Sequence, residues 1–375
     1  MKQRAIPVAA KRIVIKIGTS SLSFPNGMLD FAKIERLVRA ISNIHNSGRE
    51  VILVTSGAVG AGMMKLGLKE RPVLIPEKQA VAAVGQGLLM HVYEKIFSEY
   101  AKTVAQVLLT RSDTKEMTRC ANSRSTLLSL LRMNVIPIIN ENDAVSIDEL
   151  KIGDNDNLSA MVAALVEADL LLIMSDVDGL YTANPATDTT ATLIPEIKTI
   201  TAAIESMAGA AGSASGTGGM STKIQAAKIA VNAGIAVIIA NSSVKNCIES
   251  ILDGQPVGTL FLPKKAKLQF RKKWLSFGKA ASGNIFVDQG CGAAIINNGS
   301  SLLPVGIVDI SGDFSGGQVV SVISSDNQEI ARGLVNYSAD ELRKIKGKKI
   351  NQIATILGGL DYHEAIHRDN MVVIV

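Results

Sequence analysis

The first two thirds of this 375-residue chain alternate short apolar runs with helical patterns, and this alternation constrains the fold more than any other feature. The runs are rich in valine, isoleucine and leucine, which is typical of strands buried on both faces of a parallel sheet. We predict strands at Arg12–Ile17, Glu50–Thr55, Thr103–Leu109, Val135–Ile139, Asp169–Ser175 and Ala236–Ala240. Strands that alternate with helices predict the α/β class, as an open α/β sandwich with a mostly parallel central sheet.

The helices predicted between these strands follow from the spacing of their apolar residues. The first begins after Asp30, a residue type that caps helix N-termini well. Its apolar face consists of Phe31, Ile34, Leu37, Ile41 and Ile44. Further helices are predicted near residues 77–98, 118–132, 157–167 and 221–233.

Composition argues against several classes of protein. Hydrophobic residues make up 47% of the chain and charged residues 19%, which excludes a disordered or fibrous protein. At roughly 100–200 residues per domain, the length of the chain suggests two domains. The three cysteines are isolated and the four histidines are scattered, so neither a disulfide framework nor a zinc site is predicted. No secretory signal is evident, and the longest apolar stretch, Met161–Met174, is shorter than the roughly 18 residues of a membrane span. We therefore expect a cytoplasmic protein that does not engage a membrane.

The pattern changes after residue 263. The segment Lys264–Lys279 contains seven of the 39 Lys and Arg residues, three aromatic residues and no acid. Such a segment can contact nucleic acid, but a solvated interdomain linker is the simpler interpretation. Beyond it, residues 280–335 show short alternating runs separated by Gly, Asp, Asn and Ser, which predict a small β-rich domain. We therefore predict three parts: residues 1–263, a basic linker over 264–279, and residues 280–375.

Residues suited to chemistry interrupt or follow the predicted strands. Lys16 lies within the apolar run of the first strand, where an ammonium group is unfavourable unless it meets an anion or the strand lies at a solvated edge. The second strand ends in Thr55–Gly62, whose three glycines permit either close approach of backbone N–H groups to an anion or tight helix packing. In open α/β sheets, ligands bind outside the carboxyl ends of the strands, which is where these residues are expected.

Two clusters of Asn and Asp are more specific. Residues 140–144 (NENDA) end the fourth strand, and residues 153–157 (GDNDN) open a helix. Asp154 and Asp156 are also suited to complement a helix N-terminus. Two such dense clusters so close in sequence favour a binding site instead. The segment Ser175–Tyr181 then follows the most apolar strand, a position typical of nucleotide contacts.

A glycine-rich segment, Gly216–Lys223, runs into the last predicted helix of this region. It combines a flexible loop, hydroxyl groups, a helix N-terminus and a lysine, which together suit a polyphosphate. It is not a Walker A loop, because GxxxxGK[ST] is absent. His367–Asn370 shares its first three letters with a protein-kinase catalytic loop but lacks the downstream asparagine, and we interpret it as chance.

At these residues the chain resembles the amino-acid kinase family. The segments that carry the resemblance occur in the family's order and are IVIKIGTS, VTSGAVGAG, AAVGQGLL, VIPIINENDAV, KIGDNDNLSA, SDVDGLYTANP and GTGGMSTKIQAA. Within the family, VIPIINENDAV and KIGDNDN are similar to the kinases that phosphorylate glutamate on the route to proline. The C-terminal segments GSSLLPVGI and GDFSGG resemble a PUA domain. The resemblance covers nearly the whole chain and implies the amino-acid kinase fold over 1–263 and a PUA-like domain over 280–375.

The resemblance also implies roles for individual residues. The implied catalytic residues are Lys16, Lys223 and Asp156, with the aspartate orienting the two lysines. The implied glutamate contacts are Ser56, Asp143 and Asn155. The implied ATP contacts are Lys16, Ser175, Asp176, Thr217, Gly218, Gly219, Met220, Ser221, Thr222 and Lys223. Mg²⁺ is expected mainly on the ATP phosphates, so no metal-ligating residue is predicted.

The implied reaction is ATP-dependent phosphorylation of the side-chain carboxylate of L-glutamate. That carboxylate has a pKa of about 4.3 and is ionised at neutral pH, so no general base is needed. Positioning and charge neutralisation then carry the catalysis. The family further implies feedback inhibition by proline and a homo-oligomer. The product is an unstable acyl phosphate, so we also expect functional coupling to a reductase that consumes it.

Two alternatives remain open at this point. One is a different acceptor within the family, such as aspartate or acetylglutamate, against which the PUA-like segment argues. The other is RNA binding through the PUA-like domain, in addition to kinase activity or instead of it. The net charge of +5 is modest and no dense platform of arginine and aromatic residues occurs in the sequence, so nucleic acid is not expected as a partner.

Overall fold

The computed structural model describes residues 4–24, 26–110, 113, 117–145, 155–185, 187–210, 219–264, 281–359 and 362–374. The chain divides into two compact units. The first comprises residues 1–114 and 124–266, and the second comprises residues 115–123 and 267–375. Apart from Lys264, the predicted basic linker lies outside the described residues.

Among its described residues, the first unit is built on an eight-stranded sheet. The strands are β1 (Arg12–Ile17), β2 (Glu50–Val54), β3 (Val104–Leu109), β4 (Ile136–Glu141), β5 (Leu170–Ser175), β6 (Glu196–Ile197), β7 (Ala236–Asn241) and β8 (Thr259–Phe261). They are ordered β3-β4-β2-β1-β5-β7-β8-β6, and every neighbouring pair from β3 to β7 is parallel. Strand β8 is antiparallel to β7 and parallel to β6. The predicted mostly parallel α/β sheet is confirmed.

Helices cover both faces of this sheet. In chain order they are α1 (Ala5–Ala9), α2 (Phe31–Asn46), α3 (Ala58–Leu66), α4 (Ile75–Glu99), α5 (Met117–Arg132), α6 (Asn155–Leu165), α7 (Ala202–Ala210), α8 (Met220–Asn232) and α9 (Cys247–Leu252). Helices α2, α4 and α9 bury apolar residues in the cluster on one face, and α5, α6 and α8 do so on the other. No helix in the described part of the chain is both long and apolar enough to cross a membrane.

Strand β1 contributes to both apolar clusters. Ile13 and Ile15 lie in the cluster with α2 and α4, whereas Val14 lies in the cluster with α6 and α8. This division follows because successive side chains of a strand point to opposite faces. The same alternation places Lys16 on the face that α6 and α8 cover. The pleat of β1 therefore determines which helices can supply a partner for the lysine.

Helix α2 forms as its sequence predicts. The Asp30 side chain accepts a hydrogen bond of 3.1 Å from the Lys33 backbone N–H and so caps the helix. The buried residues of its apolar face include Ile34, Leu37, Ile41 and Ile44. Phe31, the first residue of the helix, is 52% exposed and is not part of the buried face. Burial of this face holds the helix to the sheet.

Helices α3 and α4 approach each other too closely for side chains at two positions. A Cβ atom on Gly62 would lie 1.9 Å from the Val81 backbone oxygen, and one on Gly85 would lie 1.8 Å from the Ala58 backbone oxygen. Gly57, just before α3, has a φ of +104°, a conformation that favours glycine. Among the glycines that follow β2, tight packing therefore accounts for Gly62 and a left-handed turn accounts for Gly57.

The second unit contains a five-stranded sheet among its described residues. The strands are β9 (Gly283–Val287), β10 (Ile307–Gly312), β11 (Val319–Ile323), β12 (Glu329–Leu334) and β13 (Met371–Val373). They are ordered β10-β9-β11-β12-β13, and neighbours are antiparallel except for β9 and β11. The β-rich fold is confirmed, but the sequence pattern did not predict the helices α10 (Gln289–Asn298), α11 (Ala339–Ile345) and α12 (Ile350–Leu357). Each has ten residues or fewer, which is too short for a helical period to stand out.

We expect Gly85→Ala to lower the free energy of unfolding by about 1–3 kcal/mol, because the new Cβ atom has to displace the backbone of α3. Gly87→Ala in the same helix is the control. Nothing lies within 4 Å of the Cβ position of Gly87, and alanine there should stabilise the helix by up to about 1 kcal/mol. Denaturant unfolding measures both variants. Equal stabilities would contradict the close packing of α3 on α4.

Candidate active site

Three charged side chains meet near the carboxyl ends of the central strands. Lys16 is on β1, which is paired on both sides, while Asp156 and Lys223 are in the first turns of α6 and α8. Lys16 Nζ lies 2.6 Å from Asp156 Oδ1, and Lys223 Nζ lies 3.4 Å from Asp156 Oδ2. All three residues are buried, and Asp156 is only 1% exposed. The structure thus brings the three predicted catalytic residues together and excludes the interpretation of Lys16 as an edge-strand lysine.

This charge cluster, Lys16–Asp156–Lys223, contains two positive charges and one negative charge. Burial acts to raise the pKa of Asp156, but the charges of Lys16 and Lys223, together with hydrogen bonds from Lys16 and Thr222, lower it overall. Burial lowers the pKa of Lys223, and the charge of Asp156 offsets part of that effect. Excess positive charge in a buried cluster becomes favourable when an anion binds beside it. The cluster is therefore suited to bind an anionic group such as a phosphate.

The first turn of α8 lies against the charge cluster. Thr222 is buried, and its hydroxyl hydrogen is shared between Asp156 Oδ2 at 2.8 Å and the Gly219 backbone oxygen at 2.9 Å. Gly219 precedes the helix and has no side chain to cap it, so the N-terminus remains suited to a phosphate. Met220 is buried and Ser221 is exposed. The sequence analysis assigned Thr222 only to the nucleotide, and its bond to Asp156 is a finding of the structure.

Two further predicted nucleotide contacts lie at the end of β5. Ser175 is buried, and its hydroxyl donates to Asp176 Oδ1 at 3.0 Å. The Ser175 backbone oxygen accepts from the Ser242 backbone N–H at 2.8 Å, which ties this strand end to the end of β7. Asp176 is exposed, and its charge acts to raise the pKa of Lys223. The predicted contacts Thr217 and Gly218 lie outside the described residues.

A network of amide side chains links the ends of β2 and β4 to α4 and α6. Asn155 Nδ2 lies 3.0 Å from the Thr55 backbone oxygen, 2.8 Å from Ser56 Oγ and 3.1 Å from Asn140 Oδ1, and its two hydrogens are shared among these three acceptors. Asn140 Nδ2 donates in turn to Gln86 Oε1 at 2.8 Å. The amide network therefore joins four elements through side chains that can bind polar groups.

Of the predicted glutamate contacts, Ser56 and Asn155 lie together in this network. Asp143 is half-buried in the turn after β4. Strands β2 and β4 are parallel neighbours, so Ser56 and Asp143 follow carboxyl ends at the same edge of the sheet. Asn140 and Gln86 are not among the contacts that the resemblance implies. Asn140 lies within one of the Asn and Asp clusters, and Gln86 lies within AAVGQGLL, a segment that carries the resemblance.

Comparison with known proteins agrees with the fold. A model of the amino acid kinase family matches residues 11–241, and a model of the PUA domain matches residues 283–357. The chain belongs to the amino acid kinase family. The glutamate 5-kinase of Moorella thermoacetica is 53% identical over 365 residues, which are 97% of this chain and 97% of the relative. That of Thermoanaerobacter sp. (strain X514) is 52% identical over 363 residues, which are 97% of this chain and 98% of the relative.

Solved structures were compared as well. The UMP kinase of Ureaplasma parvum is 16% identical to this amino acid kinase, with a TM-score of 0.46, and the match covers 70% of this chain and 100% of that chain. This amino acid kinase is an enzyme with a C-terminal PUA domain, as the sequence predicted.

In this amino acid kinase, we expect Thr222→Val to lower the free energy of unfolding at neutral pH by about 1.5–3 kcal/mol. The change keeps the size of the side chain but removes a hydrogen bond to a buried charged group. Thr222→Ser, which retains the hydroxyl, is the control. Denaturant unfolding at neutral pH measures both variants.

The same pair of variants has an expected pH dependence. The pKa of Asp156 is lowered in the folded chain, so its ionised form contributes stability at neutral pH that is lost as the pH falls through the folded pKa. The difference between the valine and serine variants should therefore shrink in acid. A difference that does not change with pH would show that the hydroxyl does not act through the carboxylate.

Proposed function

We propose that this enzyme transfers the γ-phosphate of ATP to the side-chain carboxylate of L-glutamate and forms L-glutamyl 5-phosphate, the first step of proline biosynthesis. The observation that carries the proposal is the buried charge cluster, whose two ammonium groups around one carboxylate suit a transferred phosphate. The choice of acceptor is supported by the curated glutamate 5-kinases, which are 53% and 52% identical to this chain.

The chemistry of the acceptor fits a site without a general base. A carboxylate with a pKa of about 4.3 is already ionised at neutral pH and is ready to attack. The obstacle is electrostatic, because an anion has to approach a phosphate that is itself negatively charged. In the proposed in-line step, a bond forms from the carboxylate oxygen to the γ-phosphorus while the bond from that phosphorus to ADP breaks, without a covalent enzyme intermediate. The chain then has to supply position and positive charge.

The charge cluster supplies both the positioning and the positive charge. Lys16 and Lys223 neutralise the charge of the transferred phosphate, and Asp156 holds the two ammonium groups in place. Lysine is a flexible point charge, so a shared carboxylate restricts the positions that each ammonium can take. The nucleotide is assigned to the residues that the resemblance implied, namely Lys16, Ser175, Asp176, Thr217, Gly218, Gly219, Met220, Ser221, Thr222 and Lys223.

The residues present also fit Mg²⁺ that is held mainly by the nucleotide phosphates. Among the residues that the structure describes, no three His, Cys, Asp or Glu side chains form a group suited to a metal ion. The lysines and the α8 N-terminus, in contrast, suit phosphate oxygens. When bound there, Mg²⁺ supplies further positive charge to the phosphates.

The amide network and its neighbours suit the amino-acid end of glutamate. A free amino acid presents an α-ammonium group, which needs acceptors, and an α-carboxylate, which needs donors. Asp143 offers an acceptor, and Ser56 and Asn155 can offer both kinds of group. We assign glutamate binding to these three residues.

The proposal extends to the organisation of the protein. It places catalysis in residues 1–263, followed by the basic linker 264–279 and the PUA-like domain 280–375, in a cytoplasmic homo-oligomer. Proline, the end product of the pathway, acts as feedback inhibitor. A reductase is the functional partner, because an acyl phosphate hydrolyses readily and has to be consumed soon after it forms.

RNA binding is not part of the proposal. Residues 281–375 contain 7 Lys and Arg but 10 Asp and Glu, so the PUA region is acidic overall. Two of its basic residues, Arg343 and Lys346, form ion pairs with Asp340 and Asp309. RNA affinity depends strongly on positive charge, and this balance does not favour it.

The direct test of the proposed function traps the product. The chain incubated with MgATP, glutamate and hydroxylamine should form glutamyl hydroxamate and ADP in equal amounts, and proline should lower the rate. Reactions without glutamate are the control. Faster turnover with aspartate or acetylglutamate than with glutamate would overturn the assignment of the acceptor.

We expect Lys223→Ala and Asp156→Ala each to lower kcat by about a hundredfold to a thousandfold, because each removes stabilisation of the charge that develops during transfer. The double variant should lose much less than the product of the two effects, since the residues act as a unit. Lys228→Ala, an exposed lysine on the same helix that pairs with Glu205, is the control and should keep its activity. If Asp156 only complements the start of α6, its variant will keep kcat and lose roughly 1 kcal/mol of stability.

A further inference from the structure

The amide network has a fixed direction of hydrogen bonding. Asn155, Asn140 and Gln86 are joined in a row, and each amide has a donor end and an acceptor end. The oxygen and the nitrogen of a side-chain amide have nearly the same size and shape. The hydrogen-bonding groups around the row therefore decide which of the two atoms lies on which side. The direction of the row determines which atoms remain for a ligand.

Two backbone groups decide the direction. The Thr55 carbonyl oxygen can only accept, so the Asn155 atom 3.0 Å away has to be Nδ2. The Glu141 backbone N–H can only donate, so the Asn140 atom 2.9 Å away has to be Oδ1. These two conclusions are independent, and they agree with each other, since they place Asn155 Nδ2 against Asn140 Oδ1 at 3.1 Å.

The rest of the row follows from these two points. Asn140 Nδ2 is then the atom that faces Gln86. Because this nitrogen can only donate, the Gln86 atom 2.8 Å away is the acceptor Oε1. Two amide atoms are left over, Gln86 Nε2 and Asn155 Oδ1. Both are buried, and neither has a hydrogen-bond partner among the residues that the structure describes. A buried donor or acceptor without a partner is unfavourable, so the two atoms point to a ligand that completes them.

The two leftover atoms are one donor and one acceptor, which is what the α-carboxylate and the α-ammonium of a free amino acid require. Asn155 is next to Asp156 in the charge cluster, where the reacting carboxylate has to lie, and Gln86 is two side chains farther along the row. We propose that Gln86 determines specificity by donating from Nε2 to the α-carboxylate of the acceptor, while Asn155 Oδ1 accepts from its α-ammonium. This assignment rests on the proposed function, because it takes glutamate as the acceptor.

The test replaces a hydrogen-bond donor by an acceptor on the protein, and it replaces an acceptor by a donor on the substrate. Gln86→Glu keeps the oxygen that Asn140 needs but replaces the Nε2 donor by a second acceptor. The α-amide of glutamate (isoglutamine) keeps the reacting side-chain carboxylate but replaces the α-carboxylate by a group that can donate. Values of kcat/KM for glutamate and for isoglutamine are measured with each protein. The ratio of glutamate to isoglutamine should fall at least tenfold in Gln86→Glu.

Two further variants keep the result interpretable. Gln86→Met removes the donor without adding charge. It also removes the oxygen that Asn140 uses, but that loss affects both acceptors alike, so the ratio should still fall. Gln106→Glu introduces the same charge at an exposed position on β3 and should leave the ratio unchanged. A merely structural role of Gln86 would lower kcat/KM for both acceptors alike, and an unchanged ratio in Gln86→Glu and Gln86→Met would overturn the assignment. If the unaltered chain fails to phosphorylate glutamate, the proposed function itself is wrong and this assignment fails with it.

Discussion

Lys16 and Lys223 are buried within reach of one carboxylate, that of Asp156, and the rest of the proposed site is arranged around these three charges. Each of them alone would be costly to bury. Together they place two ammonium groups around one shared carboxylate. Strand β1 can carry a lysine in its interior because β2 and β5 pair with it on both sides and because α6 supplies the carboxylate.

The first turn of α6 connects the two halves of the proposed chemistry. Asn155 belongs to the amide network and Asp156 to the charge cluster, and the two residues are consecutive in sequence. Consecutive side chains on a helix point about 100° apart, so one short turn can serve two neighbouring groups of ligand atoms. A displacement of this turn would change the acceptor site and the phosphate site together.

The strands and charged residues of this site could be predicted from the sequence better than its hydrogen bonds could. The single charge in an apolar run favoured a Lys16 that meets an anion but left an edge position open, and the pairing of β1 on both sides decided between them. The pairing of Asp156 with two lysines was implied by family resemblance, since no spacing in one sequence reveals a contact between residues this far apart in the chain. Strands β6 and β8 have two and three residues and carry no recognisable period. Gln86 lies in a segment that carries the family resemblance, but no role followed for it, because its proposed importance depends on partners from other elements.

The close contact of α3 with α4 determines the distance between two residues of the proposed site. Gly85 packs against the Ala58 backbone oxygen, two residues after Ser56, and Gly85 immediately precedes Gln86. One contact between backbones therefore fixes the separation of Gln86 on α4 from Ser56 at the entrance to α3. In the proposed site this separation sets the width available to the amino-acid end of the acceptor, which both side chains border. A kinase of this architecture with a bulkier residue at position 85 would hold the two helices farther apart, and its pocket for that end would be wider.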